Sequence, residues 1–332
     1  MNKNDKILVS VFCFVYNHEK YVRQCLDSLL NQNTSFRYEI LVNDDVSTDK
    51  TREILLEYQN RFPGIIRLFL QDENQYSKGR DMISLLLPYA KGKYVCLCEG
   101  DDYYLDETKL QRQFEMMEKY ENCSLCVHKV QSVTESGEIM NHTTPNDSYT
   151  EGLKESKDII GKMTYSYSFQ TSSYFVRTDE LRVLSESIPV YYKSIFQSEG
   201  VSDIPLFLYF AQRNKVYYID RIMSAWRRNS IDGWSSKTTA EKRVRHYRLL
   251  NEMLADYDVY TGGRFQAELS SAQLHNSYII CSMTHDYRNM LKKEYREFFR
   301  TETARMRIYI YIVSIFPGFK NLYSFIKYGK HS

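Results

Sequence analysis

The chain has 332 residues, 43% of them hydrophobic, which suits one large domain with an extension or two modest domains. Lys plus Arg number 44 against 42 Asp plus Glu, and a net charge of +2 without any lysine-rich run leaves no electrostatic footprint for nucleic acid. Seven Cys is an odd count in a chain well above mini-protein size, which argues against a disulfide framework and for a reducing, cytoplasmic location.

From the N-terminus, "KILVSVFCFV" reads as a buried first strand; the basic start imitates a signal peptide but lacks a small-residue cleavage site. "EKYVRQCLDSLLNQ" then sets Tyr21, Val22, Cys25, Leu26, Leu29 and Leu30 on one helical face. The unit repeats as strand "YEILVND" and helix "TDKTREILLEYQNRF", stopped by Pro63-Gly64, and again as strand "IIRLFLQ" and helix "RDMISLLLPYA". "KYVCLCE" is a fourth strand. Strands separated by helices of this length imply right-handed crossovers and a mainly parallel sheet covered on both faces. Cys96-Leu-Cys98 and Cys123-Ser-Leu-Cys126 fall inside strand-like runs, where small buried thiols are a plainer reading than zinc.

After about Ser124 strands mix with loops: "LCVHKVQSV", an "ESGE" turn, and "SYSFQTSSYFVR" as a further strand. A helix "SDIPLFLYFAQR" and a strand "KVYYI" follow, and from about Thr238 the chain reads as helical. "SAWRRNSIDGWS", which holds both tryptophans, reads as a loop beyond the last core strand. "MRIYIYIVSIFPGF", Met306 to Phe319, is too short to span a bilayer and is interrupted by Pro317; it suits a helix on a membrane surface or an ordinary packed helix equally.

Open parallel sheets bind ligands just past the carboxyl ends of their strands. Here those ends carry "YNHE" (Tyr16 to Glu19), "NDDVSTD" (Asn43 to Asp49) and "EGDDYY" from Glu99. Adjacent acids taken out of water call for a cation or hydrogen-bond donors. Asp101-Asp102 can hold a divalent cation that also touches a diphosphate, or can cap the following turn. Asp44-Asp45, followed by Ser47, Thr48 and Asp49, supplies helix caps and a carboxylate able to accept from a base or sugar. Tyr16 offers a stacking face.

In order, "VSVFCFVYNHEKYVRQCLDSLLNQ", "YEILVNDDVSTDKTREIL", "AKGKYVCLCEGDDYYLDETKLQRQ", "SDIPLFLYFAQRNKVYYID" and "SAWRRNSIDGWS" resemble a family 2 glycosyltransferase of the inverting type, in the bacterial branch that builds surface polysaccharides. The resemblance covers residues 7 to 236 and implies a GT-A fold. That is an α/β, Rossmann-like, mixed but mainly parallel sheet flanked by helices, with a nucleotide-binding half (1–122), an acceptor half (123–236) and a C-terminal helical extension (237–332).

Carried over by position, the resemblance implies that Tyr16, Asn17 and Glu19 flank the nucleobase and that Asp45 accepts a hydrogen bond from it. Asp102 would be the main ligand of Mg2+ or Mn2+, with Asp101 nearer the donor, and Asp203 would be the catalytic base. Asp203 also suits a helix N-cap ahead of Ile204-Pro205. Lys78 and Arg80 fall where the family approaches the diphosphate or the base. Arg227 or Arg228 would grip it through a planar fork, and Trp226 or Trp234 would close over a sugar. His128 suits either the acceptor pocket or a satisfied strand position. Tyr103 stands where this branch often has Trp, and Asn229 where it often has His; Glu99 receives no role.

The implied reaction moves a sugar from a nucleoside diphosphate donor, UDP-linked by preference, to a saccharide acceptor on a lipid carrier; the basic, aromatic C-terminal segment, outside the resemblance, adds an expectation of peripheral membrane contact. Two other readings stand beside it. A nucleotidyltransferase also uses an Asp-held metal, but no Gly-rich basic loop follows strand one. A non-catalytic nucleotide- or sugar-binding module would need only Tyr16 and Asp45.

Overall fold

Residues Ile7–Val15 form the central strand β1, an apolar run because the sheet is covered on both faces there: Val9, Val11, Phe12 and Cys13 are fully buried. The computed structural model describes residues 6–145, 149–163, 169–199, 203–228, 239–317 and 319. Around β1 the chain winds α1 (Val22–Leu30), β2 (Arg37–Asp44), α2 (Thr51–Arg61), β3 (Ile66–Leu70), α3 (Met82–Leu86, extended by a 3-10 turn) and β4 (Tyr94–Glu99). The face of α1 that meets the sheet is Val22, Cys25, Leu26 and Leu29. β3, β2, β1 and β4 lie side by side in parallel, with Val15 opposite Asp44 and Phe14 opposite Glu99. The acidic ends of β2 and β4 therefore open on the same edge as the end of β1.

Beyond β4 the sheet turns mixed. β5 (Tyr103–Tyr104) and α4 (Lys109–Lys119) lead to β6 (Cys123–Val133), which forms a hairpin with β7 (Ile139–Thr144) across the Glu135–Glu138 turn. Then come β8 (Gly152–Lys154), α5 (Ser156–Met163), β9 (Phe175–Arg177), α6 (Thr178–Glu186), α7 (Val190–Glu199), α8 (Asp203–Arg213) and β10 (Lys215–Arg227). β9 runs antiparallel between β4 and β6, while β10 is parallel to β6. The order is β3-β2-β1-β4-β9-β6-β10-β5.

Two sequence expectations need correction. Among the described residues of "SYSFQTSSYFVR", only Phe175–Arg177 is strand; Thr171–Ser173 coil into a 3-10 turn, because the Gln170 side chain accepts from Ser172 N–H and caps it. "SAWR" is not loop. β10 slips register at Ile219–Ile222, leaves Asp220, Arg221 and Ile222 exposed, and then resumes pairing with β6 and β5 through Arg227. The irregularity breaks the alternation that would have revealed the longer strand.

All seven cysteines are free thiols and six are buried. Cys25 Sγ lies 3.8 Å from the Sγ atoms of both Cys13 and Cys98. Burial pushes the Cys98 thiol up to about 12, so these groups act as small hydrophobes.

The chain divides into two compact units, Met1–Lys237 and Thr238–Ser332. The second contains α9 (Ala240–Tyr260), α10 (Gln266–Met283), α11 (Tyr287–Met290), α12 (Arg296–Thr301) and α13 (Ala304–Ile315). Its core gathers Tyr278, Tyr287, Met290, Phe298, Tyr309, Ile310 and Val313. Among the described residues no helix is long and apolar enough to cross a membrane.

Candidate active site

The loops at the carboxyl edge are tied to one another by their own polar side chains. Asn17, at a left-handed φ of 53°, donates its backbone N–H to Ser47 Oγ and accepts from Thr48 N–H at 2.8 Å. Glu19 accepts from Lys50 N–H, while its own N–H meets Asp49, which also accepts from Thr51 N–H at the start of α2. Asn17 and Glu19 thus stitch the loop after β1 to the loop after β2. Asp45 is buried, and its carboxylate accepts from the N–H groups of Gln75 (2.6 Å) and Tyr76 (3.1 Å), fixing the loop that carries Lys78 and Arg80. Lys78 is exposed and pairs with Glu73. Tyr16 follows β1 at this edge and is 40% exposed.

The acidic cluster begins where β4 ends. Gly100 N–H donates to the Phe14 carbonyl, and a Cβ at Gly100 would stand 2.7 Å from His18 Nδ1 and 2.9 Å from Val15 Cγ2. Only glycine lets the strand end approach β1 that closely. Asp102 is buried; Oδ1 accepts from Arg227 N–H at 2.8 Å and Oδ2 from Gln170 Nε2 at 2.9 Å. Burial, with the charges of Asp101 and Glu99, holds its carboxyl well above the usual range. Glu99 accepts from Thr171 Oγ1 at 2.6 Å, but its buried Oε2 has no partner. Burial, with the charges of Asp101 and Asp203, raises Glu99 to about 7. Asp101 is the more open member of the adjacent pair.

Asp203 opens α8, where its Oδ1 accepts from Ile204 N–H at 2.9 Å and its carbonyl from Tyr174 Oη. The Tyr174 that holds the Asp203 carbonyl closes the same 3-10 turn whose Gln170 and Thr171 bond Asp102 and Glu99, so Asp203 neighbours this cluster although it lies far along the chain from the other acids.

Several expectations are revised by the geometry. Arg227 does not reach out toward a phosphate. It is buried, and its guanidinium donates to the carbonyls of Asp101 (2.9 Å), Thr134 and Glu135 and to Gln24 Oε1, 4.7 Å from the Tyr21 ring centroid. It clamps the backbone beneath the acids. His128 is fully buried in β6, where burial and the Lys109 ammonium push its imidazole well below the usual range, and its Nδ1 meets the Lys129 carbonyl. Trp226 is a β10 residue with the Arg228 guanidinium 4.5 Å from its ring centroid. Trp234 lies outside the described residues. Sequence reading missed Gln170, Thr171 and His18, and the polar "QTSS" run inside an apolar stretch was the available signal.

Among the described residues no three His, Cys, Asp or Glu side chains gather into a protein-only metal cage. A hard divalent ion that takes one or two carboxylates and completes its shell with phosphates and water needs no such cage. The observations fit that mode: an orphaned carboxylate oxygen on Glu99, and two acids whose ionised forms the protein leaves under-compensated.

A mixed sheet whose β3-β2-β1-β4 half is parallel, with acids at the carboxyl edge of that half, defines an α/β protein of the kind that takes its ligands at that edge. The model of Glycosyl transferase family 2 matches residues 10–198, and the chain belongs to that family. It is 36% identical over 131 residues to an uncharacterized protein of Mycobacterium tuberculosis, covering 39% of this chain and 37% of that one. It is 30% identical over 165 residues to the putative teichuronic acid biosynthesis glycosyltransferase TuaG of Bacillus subtilis, covering 48% of this chain and 62% of that one. These matches span less than two thirds of the relatives' own lengths. The fold resembles Staphylococcus aureus TarS 1-349 in complex with UDP-GlcNAc, with a TM-score of 0.62 at 17% identity over 93% of this chain and 82% of that one. The fold shared with that transferase is the GT-A type, and the C-terminal helices stand as expected.

Proposed function

We propose that the chain is an inverting glycosyltransferase that moves a sugar from a UDP-sugar to a saccharide acceptor on a lipid carrier, at the cytoplasmic face of a membrane, in the synthesis of a surface or cell-wall polysaccharide. The carrying observation is that one short turn, Gln170 to Tyr174, bonds Asp102, Glu99 and Asp203 together at the edge that also carries Tyr16 and the loop pinned by Asp45. The name of TuaG and the UDP-GlcNAc bound by TarS support the donor and polymer class. Family membership speaks against a nucleotidyltransferase.

In this reading Tyr16 stacks on the base, and Lys78 and Arg80 approach the diphosphate from the loop fixed by Asp45. Asp102 is the main ligand of the cation and Asp101 lies nearer the donor; each Asp102 oxygen accepts one protein hydrogen bond and keeps a further lone pair for the ion. A mannosyltransferase of Pyrobaculum calidifontis, a fold neighbour with a TM-score of 0.51 at 12% identity, was solved with GDP-Man and Mn2+, which supports Mn2+ or Mg2+ here. Such an ion, when bound, neutralises charge on the departing diphosphate. Asp203 takes the proton of the acceptor hydroxyl as that oxygen bonds to the anomeric carbon. The bond to the diphosphate oxygen breaks on the opposite face, and the nucleoside diphosphate leaves with the electron pair.

Asp203→Asn tests this. Nucleotide binding should persist while turnover falls by about 100- to 10,000-fold. Near-normal turnover would remove Asp203 from the mechanism. The donor is found by thermal shift with UDP-, GDP-, dTDP- and CMP-sugars, with and without Mn2+; a ligand at about 100 times its Kd stabilises by ~2.7 kcal/mol.

A further inference from the structure

Past Arg307, helix α13 is apolar on every side except at Ser314. Its run from Ile308 to Val313, IYIYIV, contains no charged residue, and a helix of that kind needs cover all round. The protein covers one side. Tyr309, Ile310 and Val313 are buried with Tyr278, Tyr287 and Met290, and the Tyr287 and Tyr309 rings meet edge to face at 5.3 Å. Helical spacing puts Ile308, Tyr311, Ile312 and Ile315 on the opposite side. There Ile308 is 58%, Tyr311 56% and Ile315 63% exposed, and the apolar strip continues in Phe316 and Phe319, both more than half exposed. Scattered exposed hydrophobes need no explanation, but a contiguous strip does.

The frame of the strip is basic. Arg305 precedes Ile308 by three positions and Arg307 precedes Tyr311 by four, so both border the open side. After Glu302 the sequence holds no Asp or Glu through Ser332, whereas Lys320, Lys327 and Lys330 follow. Apolar side chains set among one sign of charge match an anionic bilayer, with acyl chains for the first and headgroup phosphates for the second. They mismatch a second copy of the same face, where like charges would meet. Twelve residues make a helix of about 18 Å, too short to cross a bilayer and suited to lying in its surface.

We propose that the outward face of α13 is a membrane-docking surface for anionic lipid, with Ile308, Tyr311, Ile315, Phe316 and Phe319 entering the interface and Arg305 and Arg307 at the phosphates. This deepens the proposed function, which sets the acceptor on a lipid carrier. Its test needs no donor, acceptor or turnover, so either reading can fail alone.

The test is co-sedimentation of the full-length protein with vesicles of phosphatidylcholine, with and without phosphatidylglycerol. Binding should require phosphatidylglycerol and weaken as salt rises. Ile308→Ser with Ile315→Ser should lower the partition coefficient by about 10- to 100-fold. Arg305→Gln with Arg307→Gln should lower it by about tenfold or more on phosphatidylglycerol vesicles and flatten the salt dependence. Both pairs alter the outward side and its border, so circular dichroism and melting should be unchanged. The proposal is overturned if the wild-type protein stays in the supernatant with phosphatidylglycerol vesicles, or if both variants bind as the wild type does. It is equally overturned if vesicles capture nothing while sedimentation velocity shows a dimer that the isoleucine variant dissociates; the face would then cover a second copy.

Discussion

The backbone N–H of Arg227 donates to Asp102 Oδ1 at 2.8 Å, joining positions 125 apart in the chain. The same residue's side chain holds the Asp101 carbonyl, so one arginine fixes both halves of the acidic pair. Arg227→Ala should leave buried carbonyl acceptors unmet and a cavity between Tyr21 and Tyr103, costing about 3 kcal/mol in urea unfolding. Arg227→Lys should recover only part of this, since an ammonium cannot span the fork. If Arg227→Ala unfolds like wild type, the clamp is not structural.

Gln170 is the other donor to Asp102. Gln170→Glu sets a carboxylate against a carboxylate already raised by burial, and should weaken Mn2+-dependent nucleotide binding by about tenfold. Gln170→Ala should do less, because it adds no charge. Titration calorimetry with UDP and Mn2+ measures both.

Gly100→Ala would press a Cβ against His18 and Val15, within 3 Å of each. The strand end must shift, carrying Asp101 and Asp102 with it. An expected cost of about 1–3 kcal/mol in stability should come with reduced donor binding. Gly100→Ala combined with His18→Ala should regain part of the loss if the contact is the cause.

Asp81 caps α3 by accepting from Ile83 N–H at 3.2 Å, and burial raises its carboxyl to about 6. The unfolded value is about 3.9. Because the folded state holds this proton more tightly, the group's stabilising contribution is complete below about pH 4 and is lost as pH rises through 6. Asp81→Asn keeps the cap without the buried charge. It should be more stable than wild type by on the order of 2 kcal/mol at pH 8, with the difference vanishing toward pH 4 in urea titrations. Equal stability at pH 8 would contradict the burial argument.

The first four strands and their helices were legible because buried parallel strands read as apolar runs and their helices as one-sided stripes. Val22, Cys25, Leu26 and Leu29 of α1 show it directly. The acidic ends were legible for the same reason: a strand boundary locates a loop, and the loop residues are then known to share an edge. Beyond β4 the signal weakened. A short central strand such as Phe175–Arg177 carries too few residues to show a period, and the register slip in β10 hid its continuation through Trp226 and Arg227.

By itself, the sequence determined the family, the alternation of strand and helix, and which loops gather at the carboxyl edge, because these follow from local periodicity and motif order. Only the tertiary structure decided the role of each side chain there. It turned Arg227 inward as a clamp, buried His128, brought in Gln170 and Thr171, and left one face of α13 open. Those outcomes depend on what packs against each group from distant parts of the chain, and burial and hydrogen-bond partnership are properties of that packing rather than of any single stretch.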